Sequence, residues 1–358
     1  MSGGIDSTVA AMLALRGGLD CTGAVMVLYD SGGVSAGGEF SGGDIVPAAR
    51  AAAGRLGIPF QVFDFTECFA EHVIARFIDD YRGGRTPNPC IVCNKHLKFG
   101  ALMRKMHESG MDHIITGHYA RVEHSGGGQS SKSEHSGGGR FLLKKGIDTA
   151  KDQSYVLYTL TQEQLAHIIF PLGDLTKNQV RELAFDAGLI TEENKTESQD
   201  ICFIPDGDYV RFITEYTGEE PRRGRFIDTC GNDLGENKGV IAYTVGQRRG
   251  LGLAMPHPPY VIELRPEDDT VVVGRDEMLY SKTLQAKDIN LIAVDRLDTS
   301  VRALVKIRYA HRGSPALVHQ TDENTLYIEF DEPQRAVTRG QSAVIYDGDT
   351  VVGGGIIV

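Results

Sequence analysis

The chain has 358 residues, 41% of them hydrophobic, and a net charge of −11 from 37 basic and 48 acidic side chains. That length predicts two or three domains, and the acidic balance argues against non-specific adhesion to nucleic acid while leaving room for a local basic face. No run approaches the roughly 18 apolar residues of a membrane span, and the start has neither a charged n-region nor a signal sequence, so a soluble cytoplasmic protein is expected. Six cysteines (Cys21, Cys68, Cys90, Cys93, Cys202 and Cys230) are too few and too scattered for a secreted disulfide scaffold.

The chain opens on Met1-Ser2-Gly3-Gly4-Ile5-Asp6-Ser7, a glycine turn feeding a helix predicted over residues 6–16 and ended by Gly17-Gly18. Without Cβ atoms the backbone can close on an anion. The N–H groups of the first helical turn, with the helix dipole behind them, favour negative charge there. No lysine follows, so this is not a Walker loop, and Gly-x-Gly-x-x-Gly is absent. The run resembles the pyrophosphate loop of ATP enzymes that adenylate an oxygen and release pyrophosphate. The plain alternative is a helix start with Asp6 as N-cap. Such a loop follows a buried parallel strand, which nothing before Met1 supplies, so an upstream strand is expected.

Next come a β-branched strand over 21–29, a Gly/Ser-rich segment over 31–43, a helix over 45–56 and a strand over 59–63. A longer amphipathic helix is predicted over 67–81, with Phe69, Val73, Phe77 and Tyr81 on one face. Alternating strands and helices imply a doubly wound parallel α/β sheet, with ligands at the strands' carboxyl ends. In Thr86-Pro87-Asn88-Pro89-Cys90-Ile91-Val92-Cys93-Asn94-Lys95 two prolines stiffen a loop that ends in two thiols. A helix is predicted from Lys95 to His107, so Cys93 is expected just before it, where dipole and Lys95 favour thiolate. Cys21 and Cys68 read as packing residues.

A short strand over 113–116 precedes Gly117-His118-Tyr119-Ala120-Arg121. Glu-His-Ser-Gly-Gly-Gly then occurs twice, at 123–128 and 134–139, and reads as a mobile loop between two hairpin strands. Thr176 is the predicted N-cap of a helix over 176–187 that Gly188 stops. Beyond Asp206 short strands take over, at 239–245, 260–264 and 270–273. From about Thr283 five or six more follow (286–291, 302–309, 316–320, 325–330, 342–346, 351–357), as in a small antiparallel barrel. Its second strand carries the basic run Arg302, Lys306, Arg308 and Arg312.

Taken in order, these pieces resemble the tRNA-specific 2-thiouridylases, enzymes that place sulfur on C2 of the wobble uridine. The match includes Ser-Gly-Gly-x-Asp-Ser, Thr86-Pro87-Asn88-Pro89, Cys93-Asn94-Lys95, residues 116–121, Lys151-Asp152-Gln153-Ser154-Tyr155 and Ser198-Gln199-Asp200-Ile201-Cys202-Phe203-Ile204. Tyr243 to Arg248, Lys306 to Tyr309 and Gly340 to Val344 complete it. The resemblance implies an adenine nucleotide alpha hydrolase-like catalytic domain over 1–206, a central tRNA-recognition domain over 207–282 and a C-terminal antiparallel β-barrel over 283–358.

The resemblance also implies that Ser2, Gly3, Gly4, Asp6, Ser7, Met26 and Gly117 hold ATP with Mg²⁺. Asn88, Pro89 and Cys90 would face the target base. His118, Lys151, Asp152, Gln153, Arg308, Tyr309 and Gln341 would contact tRNA. Cys202 would carry a persulfide, with Cys93 as its partner thiol and a cysteine desulfurase or sulfur relay as donor. One departure stands out: many members have an acid where this chain has Cys90. Cys90, Cys93 and Cys202 therefore also form a candidate ligand set for a 4Fe–4S cluster. The rival readings are an adenylating amidotransferase or synthase acting on a small molecule, and a non-enzymatic RNA-binding module.

Overall fold

The computed structural model describes residues 1–29, 45–126, 139–189 and 201–358. The glycine-rich segment over 31–43, most of the repeated Glu-His-Ser-Gly-Gly-Gly loop and residues 198–200 lie outside the described residues.

Helix α1 (Ile5–Arg16) buries Val9, Ala10 and Met12, which pack on Val180 and Ala184 of α8 (Lys177–Asp186). Its N-cap is Gly4 with no side-chain cap, so Asp6 is not the cap and is free for other contacts. β1 (Gly23–Val27) pairs in parallel with β2 (Phe60–Asp64), and α2 (Ile45–Leu56) packs on β1. β3 (Ile114–Ile115) pairs in parallel with β6 (Ile168–Ile169). The parallel α/β half is thus present as two separate strand pairs.

The sheet half carries two helices interrupted by wider winding. One runs through α3 (Thr66–Phe69), a π segment over Ala70–Ile74 and α4 (Ala75–Arg82). The other runs through α5 (Pro89–Cys93), a π segment over Asn94–Ala101 and α6 (Leu102–Glu108). This corrects the expected start at Lys95. Pro89 has no N–H to lose at a first helical position and a φ already suited to it, so it initiates the helix. Cys93 therefore lies inside the helix, not ahead of it.

β4 (Ala120–His124) and β5 (Phe141–Lys145) form the expected antiparallel hairpin, and Lys144 pairs with Thr350 to join it to the C-terminal sheet. After α7 (Gln162–Ala166), helix α8 begins at a capping box in which Thr176 and Gln179 bond each other's backbone N–H. α9 (Tyr209–Thr217) leads into a four-stranded sheet of β7 (Arg225–Asp228), β8 (Asp233–Glu236), β9 (Tyr260–Arg265) and β10 (Thr270–Gly274). The strand expected over 239–245 is instead a 3₁₀ turn at Val240–Ala242, where Gly239 has a φ of +96°.

The last unit comprises β11 (Tyr280–Leu291), β12 (Val301–Lys306), β13 (Ser314–Asp322), β14 (Thr325–Arg335), β15 (Ser342–Asp347) and β16 (Thr350–Ile357). They are ordered β11-β14-β13-β12-β15-β16, and β16 returns to β11 to close a six-stranded antiparallel barrel. Alternation puts Val305, Ala316, Val318, Ile328 and Phe330 in its core.

Candidate nucleotide and thiol site

The opening loop is shaped by Gly3, whose φ of +77° and contact with Ala48 (a Cβ would lie 2.7 Å from the Ala48 carbonyl carbon) exclude a side chain. Ser2 and Ser7 hydroxyls lie 3.3 Å apart at its mouth. Asp6, in the first turn of α1, accepts a hydrogen bond from the Tyr119 hydroxyl at 2.8 Å. It also receives the Lys177 ammonium at 2.7 and 2.8 Å from its two oxygens. Gly117 is the second glycine with a steric reason: a Cβ there would stand 2.8 Å from the Asp6 carbonyl carbon. The carboxyl end of β3 is thereby pressed against the loop.

The thiols form a second centre beside it. Cys93 shares an apolar cluster with Phe69, Leu97, Phe203 and Ile204, and Met26 packs on the same cluster. The Tyr29 hydroxyl donates to the Cys202 carbonyl at 3.0 Å, fixing the segment after β1 to the one carrying Cys202. Burial pushes the Cys90 and Cys93 thiols up. The Cys202 thiol is pushed up to about 12 by burial, then by Cys93 and Cys90, although the residue keeps an exposed face. Lys98 pulls all three back down. It lies five residues past Cys93 in the π segment, whose i→i+5 winding turns residues so spaced toward one face. Cys68 also acts on Cys93. All six cysteines are free thiols.

Residues 1–206 match the family described as tRNA methyl transferase HUP domain, residues 210–275 its PRC-barrel domain, and residues 281–357 the aminomethyltransferase β-barrel domain. The tRNA-specific 2-thiouridylase MnmA of Clostridioides difficile is 47% identical over all of this chain and 96% of its own length. Its namesakes in Acetivibrio thermocellus (45%, with 97% of that protein covered) and Lachnoclostridium phytofermentans (43%, with 98% covered) are also similar to the whole chain. The chain belongs to the tRNA-specific 2-thiouridylase family. It therefore has that family's HUP domain, PRC-barrel and C-terminal β-barrel organisation, as the resemblance implied.

Three of the remaining residues that the resemblance implied, Gln341, Asn88 and Tyr309, lie along one seam between the catalytic half and the barrel. Gln341 donates from Nε2 to the carbonyls of Thr86 (2.9 Å) and Pro87 (3.5 Å), docking the barrel on the proline loop. Asn88 is the N-cap of α5. Tyr309 is 42% exposed and meets the Tyr155 ring edge-on at 6.1 Å between centroids. Partial burial, then the nearby Asp152 and Cys90, raise its hydroxyl pKa, which puts this end of the barrel in the neighbourhood of Cys90. Lys306 lies over the Tyr155 and Tyr309 rings at 5.7 and 5.8 Å.

Other residues turn inward. Asp152 is buried and accepts from the N–H groups of Gly146 and Ser154 and from the Ser154 hydroxyl. Gln153 exchanges two hydrogen bonds with the Tyr119 backbone. His118 is buried between Phe99 and Phe170, with Thr116 Oγ1 2.7 Å from its Nδ1. Burial, then Lys98, holds it well below the usual histidine range, hence neutral. A cleft lined by Arg76, Asp80, Arg85 and Arg339 between α4 and the barrel contains none of the expected site residues.

Two lysines at the site were not singled out from sequence. Lys98 carries no motif of its own, and its closeness to three thiols depends on where Cys202 folds back. Lys177 had one unused signal: a cation at the first position of a helix, where the dipole disfavours it.

ATP fits this site: the loop offers backbone N–H groups, two hydroxyls and a cation to phosphates. Among the described residues no group of three or more Cys, His, Asp or Glu side chains is arranged to hold a metal. The candidate 4Fe–4S ligation by Cys90, Cys93 and Cys202 thus lacks support. Magnesium fits as an ion bound mainly by the nucleotide's own phosphates, with Asp6 as the nearby loop carboxylate.

Proposed function

We propose that this protein transfers sulfur to C2 of the wobble uridine of tRNA, using ATP to activate the C2 oxygen. The observation that carries this reading is the meeting of Cys93 with the Cys202 segment beside the nucleotide loop. A small-molecule amidotransferase or synthase would need the loop but neither thiol, and an RNA-binding module would need neither.

The C2 oxygen attacks the α-phosphorus of ATP and pyrophosphate leaves, converting a poor leaving group into AMP. The loop N–H groups with Ser2 and Ser7 hold the phosphates; Met26 and Gly117 bound the nucleotide. Magnesium, bound with the nucleotide, supplies further neutralisation of phosphate charge. Cys202 receives sulfur as a persulfide from a persulfide-bearing donor protein. The Cys93 thiolate attacks the inner sulfur, forming a Cys93–Cys202 disulfide and expelling hydrosulfide, which adds to C2 and displaces AMP. In the alternative order the persulfide's terminal sulfur adds to C2 first, and Cys93 then closes the disulfide as the C2 thiocarbonyl and AMP depart. Either way a dithiol reductant restores both thiols. Asn88, Pro89 and Cys90 form the rigid floor for the base. His118, Lys151, Asp152, Gln153, Arg308, Tyr309 and Gln341 form the tRNA side, Asp152 and Gln153 by shaping the backbone there.

We divide the chain accordingly into a catalytic unit over 1–206, a central recognition unit over 207–282 and a barrel over 283–358, working in the cytoplasm. No helix among the described residues is long and apolar enough to cross a membrane. Purified protein should convert tRNA uridine to 2-thiouridine, read by mass spectrometry of nucleosides, when given ATP, a persulfide donor and a dithiol. Full activity of the Cys93→Ser and Cys202→Ser variants would overturn the scheme.

A further inference from the structure

The opening loop lacks the lysine that a Walker loop carries at its end, and a departing pyrophosphate is stabilised by a protein cation in addition to magnesium. The fold brings one from far along the chain. Lys177, first residue of α8, reaches back 171 positions and sets its ammonium on both oxygens of Asp6. Its side chain is only 9% exposed, whereas that of Asp6, in the first turn after the loop, is 36% exposed.

Helix stability does not explain this placement. A cation in the first turn opposes the dipole of α8. The helix is already capped: Asp148 accepts the Lys177 N–H at 2.9 Å and Thr176 accepts from Gln179. A buried ion pair adds little net stability over an apolar pair of the same volume. Tyr119, already bonded to Asp6 at 2.8 Å, can hold that carboxylate when the lysine moves.

We infer that Lys177 is the pyrophosphate-side cation of the nucleotide site, resting on Asp6 until the β- and γ-phosphates arrive and then transferring to them. The inference builds on the reading of residues 2–7 as an ATP loop. It gives this chain a split phosphate site, with the glycines at one end of the catalytic half and the lysine at the other. Asp6 keeps the lysine extended and desolvated at the loop, so the nucleotide exchanges one anion for another and need not recruit a solvated side chain.

The test compares ATP, inorganic pyrophosphate and AMP by calorimetric titration of the full chain, with magnesium constant and no tRNA. Lys177→Met should lose about a hundredfold in affinity for ATP and pyrophosphate, as expected for one desolvated charge contact. It should change AMP affinity by less than about threefold, because AMP lacks the phosphates at issue. Lys177→Arg should recover part of the loss.

A purely structural strut behaves differently. Lys177→Met would then weaken all three ligands alike, and Asp6→Asn combined with Lys177→Met would restore them by removing the orphaned carboxylate. Either result overturns the inference, as does unchanged pyrophosphate affinity in a folded Lys177→Met protein. Should Lys177→Met not fold, the double variant decides alone: restored pyrophosphate binding sinks the inference and a selective loss supports it. Wild-type protein that binds ATP but never thiolates tRNA would sink the sulfur-transfer reading and leave this inference standing. Wild-type protein without ATP affinity would sink both.

Discussion

The nucleotide loop and the thiol chamber sit side by side but handle charge in opposite ways. At the loop, Asp6, Lys177 and Tyr119 make three contacts of 2.7–2.8 Å, an ion pair buttressed by a phenol and built into the fold. In the chamber, Cys93 is 9% exposed among phenylalanine and leucine side chains. Burial keeps the Cys93 thiol protonated at neutral pH, and the Cys90 and Cys202 thiols are shifted the same way by partial desolvation although both residues keep an exposed face. Adenylation needs standing charges against a polyanion, and these are preorganised. Sulfur transfer needs an anion only briefly, and a chamber that disfavours charge keeps it from being wasted on water or oxidants.

The contrast breaks most visibly if the two halves cannot be separated. Cys93→Ser and Cys202→Ser should each lower tRNA thiolation at least about a thousandfold, since a hydroxyl neither carries nor resolves a persulfide. Titration should find their ATP affinity within about threefold of the parent, because neither thiol touches the Asp6–Lys177 pair. Parallel loss of ATP binding would mean that loop and chamber act as one unit.

A smaller effect sharpens the chamber's side. Lys98 favours the thiolate, so Lys98→Met should raise the thiol pKa values further and slow alkylation of Cys93 at pH 7.5 by roughly three- to tenfold. In the parent, alkylation should climb about tenfold per pH unit between about 7 and 9, because the thiols titrate above their ordinary value and the reactive form is still scarce. Rates at the Cys93 and Cys202 peptides, followed by mass spectrometry, check both statements. A Lys98→Met profile superimposable on the parent's would remove Lys98 from the account.

How legible the site was followed the same division. The loop could be read because its chemistry is local: Gly3, Gly4 and the helix after them are contiguous, and their pattern states both the turn and the anion. The barrel was legible because strand alternation repeats along the sequence, and the six strands fall close to their expected places. The start of α5 is hard to read because two prolines suggest a stiff loop, when Pro89 is suited to a first helical turn. That difference reverses the expected chemistry of Cys93, from a thiolate at a helix start to a buried thiol. The 3₁₀ turn at Val240–Ala242 escapes sequence reading because short apolar runs fit strand and turn alike. Lys177 and Lys98 act across folded distance, and no spacing rule announces such partners.

The seam with the barrel offers an intermediate case. Gln341→Ala removes the two hydrogen bonds to the Thr86 and Pro87 carbonyls. One such bond is worth about 1 kcal/mol, so the proline loop should loosen and the tRNA KM for thiolation rise about fivefold. ATP affinity should stay unchanged. An unaltered KM would show that the loop is rigid without the barrel.

Arg308 is expected to have the smallest effect and separates a third electrostatic regime from the other two. Its guanidinium is exposed and bonds only weakly inward, with Nη1 3.3 Å from the Arg335 carbonyl. Lys306, two residues earlier, is by contrast half-buried over aromatic rings. An exposed cation beside a phosphate contributes by releasing a condensed counterion, and that contribution fades with salt. Arg308→Ala should therefore weaken tRNA binding roughly two- to fourfold at low salt and reduce the slope of log affinity against log salt by about 1. ATP affinity and thiol reactivity should not move. Filter binding across a salt series measures this directly. A parallel displacement with an unchanged slope would mean that Arg308 shapes the barrel surface and touches no phosphate, which would shift the tRNA contact toward Tyr309 and the thiol end of the seam.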